Sequence, residues 1–175
     1  MRNLVVLVDT SDNEIGYLDK LEAHQKGMLH RAFSVLIFNS AGELLLQKRA
    51  AGKYHSAGLW TNTCCSHPMP NERITDAAQR RLKEEMGVTC EMKFLYKFRY
   101  RAPLDNELTE HEIDYVFTGI SDRVPVIDSQ EVADWKYISL PTLRHDIALN
   151  PHHYTFWFKE IINHPAFLEF VPASA

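Results

Sequence analysis

Alternating apolar residues mark two strands near the middle of the chain. In the segment EMKFLYKFRY, an apolar or aromatic residue fills every second position from Met92 to Tyr100. The segment HEIDYVFTG repeats this alternation from Ile113 to Phe117. Because successive side chains of a strand point to opposite faces, both segments are predicted to be strands with one buried face.

Shorter apolar runs predict further elements. NLVVLVD is typical of a strand that is closed by a turn in DTSDNEIG, while AFSVLIFN, SAGE and LLLQKR indicate a strand, a turn and a strand. Residues 50–60 are expected to form a loop. The segments YLDKLEAH, LPTLRHDI and PHHYTFWFKEIIN are predicted to be helices.

The strongest helix prediction covers NERITDAAQRRLKEEMGV. Its apolar positions recur at helical spacing at Ile74, Ala77, Ala78, Leu82 and Met86. Asn71 is the expected N-terminal cap, and the helix is expected to end at Gly87. Strands that surround one strong helix and are followed by further helices predict a mixed β-sheet sandwiched between α-helices, in the α/β (α+β) class.

Size and charge narrow the range of functions. The 175 residues suit a single domain over 1–175, with a core from about residue 4 to 160. The net charge of -4 disfavours a nucleic-acid partner. The longest apolar runs, Leu4–Val8 and Val35–Phe38, are too short to span a bilayer, and no signal peptide is recognisable. We therefore expect a soluble cytoplasmic protein without a membrane partner.

Two of the three cysteines, Cys64 and Cys65, are adjacent in the segment TNTCCSHP. Adjacent side chains of an extended chain point in opposite directions, which disfavours a disulfide between them. A metal site, a reactive thiol and plain packing all remain open for this pair.

The segment LTEHEIDYVF places Glu110 and Glu112 on one face of a predicted strand, with His111 on the other. Two neighbouring carboxylates raise each other's pKa unless a cation lies between them. Together with three histidines they are able to form a transition-metal site, although spacing alone does not assemble it. An exposed edge pair and structural histidines are the alternatives. The three histidines are His24, His30 and His67.

The strong helix resembles the Nudix box, G-x5-E-x7-R-E-U-x-E-E-x-G-U, in which U is aliphatic. The positions that match in register are Glu72, Arg80, Leu82, Glu84, Glu85, Gly87 and Val88. Two positions differ: Ser66 stands for the initial glycine and Arg81 for the glutamate after the arginine. On helix spacing alone, the same charges also fit a solvated face with Arg–Glu pairs.

Almost the whole chain, from about Leu4 to Lys159, is similar to the type I isopentenyl-diphosphate delta-isomerases, a branch of the Nudix fold. The segments LEAHQKGMLHRAFSVLIFN, GLWTNTCCSHP, RRLKEEMG and ELTEHEIDYVF carry this resemblance. It implies an isomerase of isoprenoid biosynthesis that interconverts isopentenyl and dimethylallyl diphosphate. The reaction would proceed by protonation and deprotonation through a tertiary carbocation.

The resemblance also implies roles for individual residues. Cys65 would be one acid/base group, and Glu112, assisted by Tyr100, would act on the opposite side of the isoprene unit. Trp157 would face the reacting carbons, although Phe156 replaces a proline often found before it. Cys64 is then expected to be a packed neighbour, and Cys90 a small core residue.

Two metals and a diphosphate site are implied in the same way. Mn2+ or Zn2+ would bind to His24, His30, His67, Glu110 and Glu112. Mg2+ would arrive with the diphosphate and be held by Glu85 and the Cys65 carbonyl. The diphosphate itself would contact Arg49, Lys53 and Arg81.

Two other functions compete with the isomerase. A Nudix diphosphate hydrolase is the first, and Arg81 in place of a box glutamate weighs against it. The second is a non-catalytic metal-binding module, for which no second C-x-x-C or H-x-x-x-H completes a zinc set. The expected partner is a small isoprenyl diphosphate, bound by a monomer or weak dimer.

Overall fold

A mixed β-sheet forms the framework of the chain. The computed structural model describes residues 3–170. Within that range the strands are β1 (Leu4–Val8), β2 (Glu14–Asp19), β3 (His30–Phe38), β4 (Leu44–Arg49), β5 (Trp60–Thr61), β6 (Cys64–Ser66), β7 (Met92–Pro103), β8 (Thr109–Ile120) and β9 (Val132–Ile138). The helices are α1 (Lys20–Lys26), α2 (Ile74–Met86), α3 (Leu140–Leu149), α4 (Phe156–Asn163) and α5 (Pro165–Glu169). The predicted α+β class with a mixed sheet is confirmed.

The parallel pairing of β3 with β8 lies at the centre of the sheet. β3 also pairs antiparallel with β1, β4 and β6, and β8 pairs antiparallel with β7. In this register Glu112 lies opposite both His30 and Tyr100. Directly paired residues point to the same face of a sheet. The three side chains therefore form a row across three strands.

Helices cover both faces of the sheet. On one face α2 packs Ala77, Ala78, Leu82 and Met86 against a cluster of β-strand residues that includes Phe33 and Val35. On the other face the C-terminal helices bury Trp157, Phe158 and Ile161 against a cluster that includes Leu36 and Tyr96. The apolar stripe predicted for α2 is thus its buried face. Between residues 3 and 170 no helix combines the length and apolarity that crossing a bilayer requires.

The alternation predicted from Met92 to Tyr100 is interrupted by a β-bulge. Phe94 pairs with Phe117, but Tyr96 pairs with Val116, so the register shifts between them. Phe94 consequently lies on the opposite face from Tyr96 and is largely exposed. A bulge adds one residue to a strand, so the side chains beyond it point to the opposite faces of the sheet from those that simple alternation predicts.

β8 also differs from its prediction. One buried face was expected, yet Asp114 and Val116 are as buried as Ile113 and Phe117. The strand lies between β3 and β7, and both faces are covered, so alternation of apolar residues understates its burial.

Several helix and strand boundaries are shifted. α1 begins at Lys20 rather than Tyr17, because the Asp19 side chain accepts hydrogen bonds from the Leu21 and Glu22 N–H groups. Asn71 does not cap α2; Arg73 takes that position without a side-chain hydrogen bond. The segment from Pro151 is not one helix: a 3-10 turn precedes α4. The predicted turn DTSDNEIG is also shorter, since β2 begins within it.

Gly87 ends α2 as predicted, in the left-handed conformation at φ +65°. A Cβ there would lie 2.7 Å from the backbone carbonyl oxygen of Val126. The segment containing Val126 cannot move easily, because its N–H donates to Met86 O at 2.8 Å. Gly42 has a similar φ of +76°, but a Cβ there would have no atom within 4 Å.

We predict that Gly87→Ala lowers the free energy of unfolding more than Gly42→Ala does. Gly42→Ala adds only left-handed strain, about 1–2 kcal/mol. Gly87→Ala adds the overlap with the Val126 carbonyl, for a total of about 3 kcal/mol or more. Urea unfolding of both variants measures the difference. Equal losses would show that the contact between α2 and the Val126 segment is not rigid.

Candidate active site

An open cavity, of about 560 Å³ including the solvent at its mouth, lies between the sheet, the 50–60 loop and α4. The residues predicted from the sequence that line it are Cys65, Glu112, Tyr100, Trp157, Arg49, Lys53, Arg81, Glu85, Glu110 and His67. His24 and His30 are fully buried behind it and contact His67. The fold therefore gathers every predicted site residue around one cavity.

Three imidazoles and one carboxylate converge at the inner end of this cavity. The Glu112 Oε1 atom lies 2.9 Å from His67 Nε2, 3.3 Å from His30 Nε2 and 4.0 Å from His24 Nε2. The Nε2 atoms of His30 and His67 are 3.3 Å apart. These four ligand atoms all lie within 4.8 Å of one another, which is the spacing of a possible metal site.

Backbone carbonyls orient two of the imidazoles. His24 Nδ1 lies 2.6 Å from Lys20 O, and His30 Nδ1 lies 2.8 Å from Met28 O. A carbonyl only accepts, so each Nδ1 carries the hydrogen and each Nε2 of a neutral ring presents its lone pair. The buried His24 Nε2 has no hydrogen-bond partner among residues 3–170.

A positive charge at the centre of this arrangement is favourable. Burial lowers the pKa of His67 to about 3 despite Glu112, and burial also lowers the pKa of His24. When the hydrogen is on Nδ1, the Nε2 lone pairs of His24 and His30 face the Glu112 carboxylate, which is unfavourable unless a proton or a cation lies between them. A divalent cation removes that conflict, so the residues present fit a metal ion.

Glu110 does not join the same group of ligand atoms. It belongs to a second group with His24 and His55, in which the His55 Nε2 to Glu110 Oε1 distance is 3.8 Å. The sequence predicted one set of five ligands, and the structure has two overlapping groups that share His24. His55 was missed, because its place in the 50–60 loop carries no spacing that relates it to β8.

The carboxyl groups of Glu110 and Glu112 share the hydroxyl of Tyr100. The Tyr100 hydroxyl oxygen lies 2.9 Å from Glu110 Oε2 and 2.7 Å from Glu112 Oε2. The single hydroxyl hydrogen serves one contact, so the other needs a proton on a carboxyl group. Burial, followed by the charge of Glu112, raises the pKa of Glu110 well above its usual value.

The surroundings of Glu112 favour its ionised form over that of Glu110. Burial alone would raise its pKa, but the contacts with His30 and His67 outweigh burial and hold the pKa well below the usual range. The site therefore stores one proton between Tyr100 and the two carboxyl groups, next to a carboxylate that faces the imidazoles. His111 points away as predicted, with its Nδ1 3.1 Å from Gly27 O.

The adjacent cysteines point to opposite faces. Cys65 pairs with Ser34 of β3 and lies at the cavity, half-buried. Cys64 pairs with Val35, is fully buried and packs in the α2 cluster, as predicted. Burial raises the pKa of the Cys65 thiol to about 12, against the lowering effect of Arg49. All three cysteines are free thiols, and Cys90 is only half-buried.

Positively charged groups line the same cavity. Arg49, Lys53 and Arg81 were predicted. Lys20 was missed because it is the first residue of α1, directly after β2, and no sequence spacing relates it to the cavity. Burial, and then the charge of Lys53, lowers the pKa of Lys20. Arg49 donates to the Ser56 and His55 carbonyls at 3.2 and 3.1 Å.

Trp157 forms an apolar side of the cavity. It is 3% exposed, and the Arg49 guanidinium carbon lies 5.2 Å from its ring centroid. The indole therefore already accepts a cation at one face. Its Nε1 has no hydrogen-bond partner among the described residues.

The charges of the α2 segment divide into two classes. Arg80 forms a two-pronged ion pair with Glu72, at 2.7 and 2.8 Å, and a longer contact with the exposed Glu84. This part is the solvated face considered as an alternative. Glu85 is instead buried, at 3% exposed, and bonds to Gln47 at 2.9 Å and to Arg81 at 2.5 Å.

Comparisons with known proteins agree on the family to which this chain is similar. Residues 28–158 match the NUDIX domain family. A relative from Aromatoleum aromaticum, named isopentenyl-diphosphate Delta-isomerase 2, is 53% identical over 93% of this chain and 86% of its own. A relative of the same name from Photorhabdus laumondii is 55% identical, over 93% and 92% respectively.

Solved structures give the same fold at low identity. The Deinococcus radiodurans protein DR0079 superposes with a TM-score of 0.76 at 18% identity, covering 91% of this chain and 96% of its own. A MutT protein from Methanosarcina mazei has a TM-score of 0.62 at 20% identity, covering 75% and 88%. At these identities the likeness concerns the fold alone.

Proposed function

The chain belongs to the isopentenyl-diphosphate Delta-isomerases of the Nudix superfamily, and on that premise we propose that it interconverts isopentenyl and dimethylallyl diphosphate. The observation that carries this proposal is one cavity with a thiol, a proton-sharing carboxyl pair and a cluster of cations. The metal-binding group at its inner end supports it further.

The reaction needs a proton donor and a proton acceptor on two sides of a five-carbon chain. An unactivated allylic C–H is too weak an acid to lose its proton directly. Protonation of the double bond first gives a tertiary carbocation, whose neighbouring C–H is readily lost. Cys65 acts on one side, and Glu112 with Tyr100 acts on the other. In support, Cys65 on β6 and Glu112 on β8 both line the cavity, and β3 lies between their strands.

The metal proposal rests on three Nε2 atoms that converge with a Glu112 oxygen, of which the Nε2 atom of His24 has no hydrogen-bond partner among residues 3–170. His24, His30, His67 and Glu112 would hold Mn2+ or Zn2+, with Glu110 as the fifth ligand after a shift from its partner His55. The bound ion would supply positive charge that fixes Glu112 and lowers its affinity for a proton.

The diphosphate end of the substrate binds at the outer part of the cavity. Arg49, Lys53 and Arg81 contact its oxygens, and the position of Lys20 adds a fourth cation. Glu85 and the Cys65 carbonyl would hold the accompanying Mg2+. This requires Glu85 to exchange its contact with Arg81 for the magnesium ion.

Trp157 lowers the energy of the carbocation and excludes water. Its indole face is electron-rich and desolvated, a setting in which a cation gains about 2 kcal/mol. The guanidinium carbon of Arg49, 5.2 Å from the centre of this ring, supports the proposal, because it places a cation within cation–π distance of the same indole.

Nudix hydrolysis is the weaker alternative. Arg81 stands where the box has a glutamate, and it bonds to Glu84 and Glu85. The replacement removes a box carboxylate that hydrolysis would need for magnesium and puts a cation that suits a diphosphate in its place.

We predict isomerisation without release of phosphate. Purified protein with isopentenyl diphosphate in D2O should form dimethylallyl diphosphate that contains deuterium. Proton and phosphorus NMR measure the reaction. Deuterium enters because the added proton exchanges with solvent. Stoichiometric inorganic phosphate without the isomer would instead establish a hydrolase.

The two cysteines should differ in their effect on turnover. Cys65→Ser should reduce turnover about 100-fold or more, because a hydroxyl is a far weaker acid than a thiol. Cys64→Ser, the matched control, should stay within about tenfold, since it changes packing against α2. Steady-state rates of both variants, with melting temperatures, make the comparison. Similar losses in both would contradict the assignment to Cys65.

Metal content should depend on His67 and not on His111. His67→Asn removes an imidazole from the four-residue group. The affinity for Mn2+ or Zn2+ should fall about tenfold or more, and the metal content after dialysis should fall with it. His111→Asn changes a histidine on the other face of β8 and should leave the metal in place. Elemental analysis of both variants after equal dialysis gives the answer. Metal content in His67→Asn equal to that of the wild type would contradict the proposed metal site.

A further inference from the structure

Glu131 lies where the cavity meets a second cavity, of about 780 Å³ including open solvent. Both cavities are lined by Glu131, Lys20 and Arg81. No role follows for Glu131 from the catalytic scheme, although a carboxylate beside a diphosphate site repels the ligand unless other contacts offset it.

Three contacts connect Glu131 to the parts of the protein that surround the diphosphate site. Its Oε2 accepts a hydrogen bond from Lys53 Nζ, and its Oε1 accepts one from Arg81 Nη2 at 3.1 Å. Its backbone carbonyl accepts from Ala50 N–H at 3.0 Å. A single residue thus joins the 50–60 loop to α2.

The contact with Lys53 differs in kind from that with Arg81. Arg81 is also held by Glu84 and Glu85. Among residues 3–170, Glu131 is the acceptor for the Lys53 ammonium. A lysine side chain has four rotatable bonds and loses much conformational entropy when it is ordered. Glu131 orders it before any ligand arrives.

Charge balance supports the same role. Lys20, Arg49, Lys53 and Arg81 converge on one cavity and repel one another. Burial would raise the pKa of Glu131, but Lys53 and Arg81 outweigh it and lower that pKa to about 2. Glu131 is therefore ionised at neutral pH and offsets part of the repulsion. Lysine and guanidinium groups have several N–H donors, so one bond to Glu131 leaves others free.

We propose that Glu131 is a positioning residue that holds Lys53 and Arg81 in place so that their remaining N–H groups bind the substrate diphosphate. This rests on the proposed function, which identifies the ligand. The opposite role is that Glu131 occupies the anion site and competes with the ligand, and the two roles predict opposite changes in affinity.

The test replaces Glu131 by glutamine, which keeps the size of the side chain and removes its charge. In Glu131→Gln the KM for isopentenyl diphosphate and the Kd for magnesium pyrophosphate should each rise about tenfold, with kcat within about threefold. Glu84→Gln is the matched control, because Glu84 also bonds to Arg81 but is exposed to solvent. It should change neither constant by more than about twofold.

A double-mutant cycle with Lys53→Ala tests whether Glu131 acts through Lys53. If Glu131 acts through Lys53, Glu131→Gln should weaken pyrophosphate binding much less in the Lys53→Ala background. An undiminished effect there would overturn the role in placing Lys53. Unchanged or tighter pyrophosphate binding in Glu131→Gln alone would overturn the proposal and favour competition.

Two further measurements separate other causes. Glu131→Asp keeps the charge, so partial recovery of pyrophosphate affinity is expected, and none would count against positioning. Equal melting temperatures and metal contents exclude a general loss of structure.

Pyrophosphate binding is measured by calorimetry and does not need turnover. If the wild type binds pyrophosphate as described but forms no isomer, the proposed function fails and the role of Glu131 stands.

Discussion

The parallel pairing of β3 with β8 is the interaction on which the site depends. Its register places His30 opposite Glu112, and the antiparallel pairing of β7 places Tyr100 on the other side of Glu112. A shift by one residue would turn Glu112 to the opposite face and bring His111 into the site. The register is held by burial of both faces of β8 beneath α2 and the C-terminal helices. The packing that stabilises the core therefore also sets the geometry of the site.

Burial of charge gives the site its chemistry. Glu110 and Glu112 are 4% and 5% exposed, so two carboxylates cannot both be ionised there without a cation. The structure resolves this by dividing their roles: Glu110 shares a proton with Tyr100, and Glu112 faces the imidazoles. The same low exposure that makes a metal favourable also strengthens the hydrogen bonds among these groups. A site on the protein surface would have neither property.

The outer end of the cavity has the opposite electrostatic character. Cations from α1, β4, the 50–60 loop and α2 meet there, and Arg81 replaces a carboxylate of the Nudix box. The carboxylates of Glu85 and Glu131 keep these cations in place. The molecule thus separates an acidic inner end from a basic outer end, as suits a substrate with an apolar head and an anionic tail. Trp157 lies between the two, against Arg49.

The sequence by itself determined the fold class, α2 with its buried stripe and its end at Gly87, and the residue types of the site. Local periodicity decides the fold class and α2, because a helix or strand shows its buried face in its own residues. The residues of the site followed from the resemblance to a known family. Strand alternation also separated Cys64 from Cys65, and Glu112 from His111, before any tertiary contact was known.

Only the tertiary structure decided how these residues meet. The bulge between Phe94 and Tyr96 reverses one end of β7, and a two-residue period cannot reveal an inserted residue. His55, Lys20 and Glu131 enter the cavity through loop paths and helix ends that follow no sequence period. Glu110 and Glu112 are alike in the sequence, and they differ only because Glu112 is close to His30 and His67. Pairing between distant segments sets such contacts, and that information lies in the packed core rather than in the local order of residues.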